Sequence, residues 1–221
     1  RPPRSTLFPY TTLFRSDLEI GDLDGDGCLD IVTAVAAIGA TSSGGVQIDM
    51  AERTPDGRCR LPSSSPKFLA EPHSVLGIGL GDLDGDGRLD IALSRVSSSH
   101  YGAEVTQKIR YNRSDFEETL ESTVALGAAF TCEVLDADND GRLDVVVGGK
   151  SARRPGSLSD ASAFALLLLS TPSGVREVVL RTDCGDHCKR PELPEVFDLE
   201  VLPRSEDAAQ FAVARTTEHC H

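Results

Sequence analysis

No apolar run in these 221 residues approaches the ~20 needed to carry a helix across a bilayer; Phe164–Leu169 has only the length of a buried strand. Basic residues are too few and too scattered for a nucleic-acid stripe. Lys and Arg number 22 against 35 Asp and Glu, a formal charge of −13, which argues against a DNA or RNA partner. Neither His-Glu-x-x-His nor Gly-x-Ser-x-Gly occurs, and the histidines at 73, 100, 187, 219 and 221 read as loop or terminal residues. Ser97-Ser98-Ser99-His100 sets hydroxyls beside an imidazole, but neighbours in sequence seldom form a triad. The chain is read as non-catalytic.

Aspartate is what the chain has in quantity, and its spacing is regular. Asp-Leu-Asp-Gly-Asp-Gly-x-Leu-Asp runs from Asp22 to Asp30 and again from Asp82 to Asp90, and Asp-Ala-Asp-Asn-Asp-Gly-Arg-Leu-Asp runs from Asp136 to Asp144. Four carboxylates within nine residues repel one another unless a hard, oxygen-seeking cation neutralises them. The acids fall at positions 1, 3, 5 and 9: Asp22, Asp24, Asp26 and Asp30; Asp82, Asp84, Asp86 and Asp90; Asp136, Asp138, Asp140 and Asp144. A coiled loop turns all four toward one centre, and the backbone carbonyl of position 7 (Cys28, Arg88 or Arg142) supplies a fifth oxygen. Ca²⁺, which takes six to eight oxygens at about 2.3–2.6 Å, fits this set better than Mg²⁺ with its tight octahedron. Three Ca²⁺ sites are predicted, and the twelve loop carboxylates account for much of the negative charge.

Glycine at position 6 (Gly27, Gly87, Gly141) and Gly25, Gly85 or Asn139 at position 4 suit a sharp reversal through positive φ. An EF-hand needs Glu at position 12 and flanking helices. Position 12 here is Thr33, Leu93 or Val147, and the flanks read as strands: Leu18 and Ile20, Ile78 and Leu80, or Phe130, Cys132 and Val134 before the loops, and Leu-Asp-Ile/Val runs after them.

The loops recur after 60 and then 54 residues, a period of propeller or solenoid size. Third strand, turn and fourth strand are predicted at 45–52, 54–57 and 58–61 in the first unit, 103–111, 112–115 and 116–120 in the second, and 163–169, 170–174 and 175–181 in the third. Four strands per period is the count of a propeller blade. The expected fold is all-β: a partial β-propeller of three to four four-stranded antiparallel blades with calcium-binding hairpin loops. The blades span about 17–72, 73–124 and 125–190, with a partial, metal-free one at 191–221 that has strands near Val196 and Phe211–Ala214. Thr6–Ser16 reads as the translation of a common short-read sequencing adapter, so residues 1–16 are expected to be non-native and the protein to extend further.

Six cysteines, at 28, 59, 132, 184, 188 and 220, permit three disulfides in an oxidising compartment, where millimolar calcium also keeps weak loops filled. Cys184 and Cys188 suit a local disulfide or free thiols better than a zinc site with His187, since a second ligand pair at zinc-finger spacing is lacking. Cys132, in phase with Leu18 and Ile78 on an inward strand face, is expected to be a buried free thiol.

The three Asp loops with their Leu-Asp-Ile/Val continuation, at this period, resemble the FG-GAP and VCBS repeat family of integrin α-chains and many bacterial secreted or surface proteins. The resemblance covers residues 17 to about 181. It implies a propeller whose calcium ions stiffen the face opposite the ligand-binding face. Family members commonly have seven blades, so the remaining blades are expected to lie outside this chain. It also puts the connections 37–44, 97–102 and 149–162 on the recognition face. Lys150, Arg153, Arg154, His100 and Tyr101 there are either solvated loop residues or contacts for an anionic glycan or an acidic protein patch. The implied function is a calcium-binding extracellular module for protein or carbohydrate binding or adhesion, with structural calcium, located outside the cell, at its surface or in a periplasm. The alternative is the propeller part of a secreted carbohydrate-active or other hydrolytic enzyme, with Glu104, Glu117 and Glu118 as acids outside the loops.

Overall fold

The computed structural model describes residues 15–37, 44–61, 66–96, 105–112, 115–124, 128–152, 161–182, 196–201 and 212–216. The described residues are all β-strand, turn and loop, and every pairing among them is antiparallel. The first sheet has the order β1 (Arg15–Gly21), β2 (Asp30–Val35), β3 (Gly44–Asp49), β6 (Lys67–Glu71). A two-residue ladder of β4 (Glu52–Arg53) and β5 (Cys59–Arg60) stands out from it. The second sheet runs β7 (Ser74–Gly81), β8 (Asp90–Val96), β9 (Val105–Tyr111), β10 (Glu118–Val124), and the third β11 (Ala128–Leu135), β12 (Asp144–Ala152), β13 (Ala161–Thr171), β14 (Gly174–Thr182). β15 (Val196–Val201) and β16 (Ala212–Thr216) form a further pair.

The repeat extends to fine detail. The first strand of each four-stranded sheet carries the same irregularity near its start, at Arg15/Asp17, Val75/Gly77 and Ala129/Thr131, and the β15–β16 pair repeats it at Val196/Asp198. One extra residue at this point bends and twists the strand.

Successive sheets stack face to face, each first strand lying against the next. One core fills the space between the first and second sheets with Val32, Ala34, Val46, Ile48 and Leu69 against Val75, Ile78, Ile91 and Leu93. Another joins the second and third through Ala92 and Ile109 against Ala129, Cys132, Val145, Val147, Leu166 and Leu168. Covered on both faces, β8 is buried over six of its seven residues. Close approach of β7 to β11 depends on glycine: a Cβ at Gly77 would lie 2.6 Å from the Cys132 backbone nitrogen, and one at Gly79 2.9 Å from Val134.

Two expectations are corrected. Arg58–Leu61 is not the fourth strand of the first unit, because Cys59–Arg60 turns back on Glu52–Arg53 as a side hairpin and the sheet is completed by Lys67–Glu71. Leu18 does not share the inward environment of Ile78 and Cys132: those two are buried, whereas Leu18 is 48% exposed, because no described sheet covers that face of β1. In the second unit Phe116 ends the turn with φ +68° and tucks into the first core, so β10 starts two residues later than predicted. Of the proposed recognition face, residues 97–102 lie outside the described residues, as do His100, Tyr101, Arg153, Arg154, the Cys184–Cys188 segment and Cys220. So does most of the proposed adapter segment, whose boundary at residue 16 falls inside β1.

A buried ion cluster ties the edge strand β6 of the first sheet to the central strands β8 and β9 of the second. Glu71 of β6, with no exposed surface, accepts from Arg95 at 2.7 Å and from Arg110 Nε at 2.8 Å, with Lys108 at 3.4 Å. Glu121 takes the outer side of Arg95 and Lys108 at 3.2 and 3.1 Å. Removing one member of such a set leaves the others buried without a counter-charge. Glu71→Ala is expected to lower stability by about 3–5 kcal/mol in urea denaturation, while Glu121→Ala, at the exposed rim, should cost below about 1 kcal/mol.

Candidate metal centres

Each Asp loop is the hairpin joining the first and second strands of a sheet. The ladders close on Gly21↔Asp30, Gly81↔Asp90 and Leu135↔Asp144, so the ninth loop residue is also the first of the second strand. The turns need left-handed backbone where the sequence offers Gly or Asn: φ is +77° and +84° at Gly25 and Gly27, +79° and +85° at Gly85 and Gly87, and +63° and +87° at Asn139 and Gly141.

Inside the loops the carboxylates organise the backbone. Asp22 accepts from the N–H groups of Gly25 and Gly27 at 2.8 and 2.9 Å, and Asp82 does the same with Gly85 and Gly87. Asp136 takes Asp140 and Gly141, both at 3.0 Å. Asp24 and Asp84 accept from Asp26 and Asp86. Asp26, Asp86 and Asp140 accept from the position-7 residues Cys28, Arg88 and Arg142. The ninth residue works differently. Asp30, Asp90 and Asp144 are fully buried, and each takes one N–H from loop position 2 (Leu23, Leu83, Ala137) and one from at or just past the end of the third strand (Ala51, Asn112, Ser170), at 2.7–2.9 Å.

Three of the four carboxylates in each loop converge, with ligand oxygens within 4.8 Å of one another: Asp22, Asp24 and Asp30; Asp82, Asp84 and Asp86; Asp136, Asp138 and Asp144. The fourth of each set, Asp26, Asp90 or Asp140, stands outside that group, held by the backbone donors just named. Burial pushes the carboxyls of Asp30, Asp90 and Asp144 above the usual aspartate range, against two backbone N–H donors each, and neighbouring loop aspartates add to the rise. A cation among these oxygens would favour the ionised form of all of them, and a donor set made only of oxygen suits a hard ion.

The first loop carries a clasp that sequence spacing did not disclose. Cys28 is disulfide-bonded to Cys59 of the side hairpin, and in the same hairpin Arg53 donates its backbone N–H to Asp26 Oδ2 at 3.0 Å and Nε–H to the Asp26 carbonyl at 2.7 Å. Six cysteines had left the pairing open; a cysteine at loop position 7, where the other loops have arginine, was the available signal. Cys132 is a buried free thiol, as its strand phase predicts, and burial pushes its pKa well up.

Residues 22–93, from the first Asp of the first loop into β8, match the model of the FG-GAP-like repeat family. That stretch is similar to an FG-GAP-like repeat. The matched stretch holds both the first and second loops, and the third loop, outside the match, repeats their strand–loop–strand register. No curated protein matches the chain significantly.

A cross-link over 31 residues of sequence removes entropy from the unfolded chain. Cys59→Ser is therefore expected to lower the unfolding free energy by about 2–4 kcal/mol. Hydrogen exchange should rise in Arg53–Arg60 and the first loop while the Asp136–Asp144 loop stays unchanged.

Proposed function

We propose that this chain is a segment of an extracellular, calcium-binding β-propeller that serves as a binding or adhesion module, with calcium in a structural role. The observation that carries the reading is the convergence of three carboxylates in each of three successive hairpins, from positions 1, 3 and 9 in the first and third and 1, 3 and 5 in the second. Each hairpin joins the first two strands of a four-stranded antiparallel sheet.

Stacking supports the ring. Leu89 and Leu143, at loop position 8, reach the preceding sheet, where a Cβ on Gly21 or Gly81 would meet their methyls. Leu29, the equivalent residue of the first loop, is 63% exposed, beside Leu18 and Ile20. A preceding blade would cover all three, and the remaining blades of the propeller would close the circle. The Cys28–Cys59 disulfide fits an oxidising location outside the cytosol. The loop carboxylates are committed to backbone and cation, which favours binding over catalysis. The partner is a protein or a glycan, met by the loops opposite the metal hairpins.

Extracellular modules hold calcium at roughly 10⁻⁴–10⁻³ M. At a hundredfold excess over Kd each occupied site adds about 2.7 kcal/mol of stability. Scanning calorimetry is expected to show a higher Tm in millimolar Ca²⁺, reversed by EDTA, and identical melting in both would overturn the reading. Asp86→Ala should remove one equivalent of bound Ca²⁺, and Glu117→Ala none.

A further inference from the structure

The three loops differ in how they are tied to their neighbours. The residue at or just past the end of the third strand that donates its N–H to the ninth aspartate is Ala51, Asn112 or Ser170. Ala51 has no polar side chain to extend the contact. The Ser170 hydroxyl stays within its own unit and donates to the Leu143 carbonyl at 2.7 Å. Asn112 reaches across sheets: its Nδ2 donates to the carbonyl of Leu23, 89 residues earlier, at 2.6 Å. Leu23 is buried in the first core and donates its own N–H to Asp30 Oδ2 at 2.8 Å. An unbroken path Asp90–Asn112–Leu23–Asp30 therefore runs from the second loop to the first, and the described bonds of Ser170 make no such link between the third loop and the second.

We propose that Asn112 couples the first two loops, so that a divalent cation bound in one raises the affinity of the other, while the third loop binds independently. The proposal rests on the calcium reading given above. An ion in the second loop orders the loop that Asp90 closes. Asp90 fixes the Asn112 backbone, and a fixed Asn112 holds the Leu23 peptide in the geometry that Asp30 needs. The second ion then meets a loop already ordered and loses less conformational freedom on binding. The coupling is reciprocal by linkage.

The test is a Ca²⁺ titration followed by NMR at the position-6 glycine amides, Gly27 for the first loop and Gly141 for the third. It is run on the wild-type chain and on Asp86→Ala, which disables the second loop. Asp86→Ala is expected to weaken Ca²⁺ binding at Gly27 about fivefold or more and leave Gly141 unchanged. Loss of the Asp86 charge alone would also weaken cation binding nearby, but that loss is the same with Asn112 or Ser at position 112, so the Asn112→Ser background separates it from the coupling. Asn112→Ser, which installs the residue type of position 170, keeps the backbone donor to Asp90 but gives up the reach to Leu23. In that background Asp86→Ala should leave at Gly27 only the effect of the lost charge.

Equal weakening at Gly27 and Gly141, no weakening at Gly27, or the same weakening with and without Asn112→Ser would overturn the coupling while leaving the calcium sites in place. Absence of Ca²⁺ binding at every glycine would instead overturn the calcium reading and the coupling together. If Asn112→Ser fails to fold, Asn112→Ala, which installs the residue type of position 51 and likewise keeps the backbone donor to Asp90 without the reach to Leu23, takes its place.

Discussion

A single buried carboxylate per repeat, at the first residue of the second strand, joins parts of the chain that would otherwise be independent. Asp30 holds Leu23 in its loop and Ala51 beyond β3; Asp90 holds Leu83 and, beyond β9, Asn112; Asp144 holds Ala137 and, near the end of β13, Ser170. Hydrogen bonds to a charged acceptor contribute about 1.5–3 kcal/mol each, so two of them offset much of the cost of burying the charge. The carboxyl still sits above its usual pKa range because burial outweighs those donors. Loop, central strand and strand exit are thereby locked together, and the loop backbone is largely shaped by its own aspartates. What is left for a cation is to relieve the repulsion among oxygens already brought close.

The same hairpins also set how the sheets stack. The residue before the ninth aspartate is leucine in all three loops, and Leu89 and Leu143 reach back over Gly21 and Gly81 of the preceding sheet. One leucine of each of these two loops thus belongs both to the hairpin and to a sheet-to-sheet contact. The alternating glycines of β7 belong to the same design: side chains at Gly77 and Gly79 would hold β11 away and open the second core.

Features governed by local spacing were legible in the sequence. The Asp period, the left-handed positions, the strand–hairpin–strand reading and four strands per unit all follow from residues a few places apart. Cys132 was legible as a buried thiol through strand alternation. The β4–β5 side hairpin was not, because Thr54-Pro55-Asp56-Gly57 is as good a turn between two sheet strands as within an excursion, and a two-residue ladder has no period to read. Glu71, Arg95 and Arg110 look like ordinary solvated charges, and only the stacking of two sheets brings them into one buried cluster. Asn112 was legible as a turn residue, but its bond to Leu23 depends on the distance between two sheets, which no local pattern encodes.

The clasp on the first loop has a physical rationale in the same stacking. The second and third loops are backed by the preceding sheet through Leu89 and Leu143, whereas Leu29 is turned to solvent. The residue beside it, Cys28, is buried and covalently tied to Cys59, and the hairpin carrying Cys59 also supplies two Arg53 donors to Asp26. Where packing against a neighbouring sheet restrains two loops, a cross-link and a cationic side chain from its own unit restrain the other. Arg53 moreover brings a positive charge to the most crowded set of acids in that unit, which lowers their repulsion before any ion arrives. The first loop is thus held from within its own unit, and Leu23 and Asn112 hydrogen-bond it to the second unit.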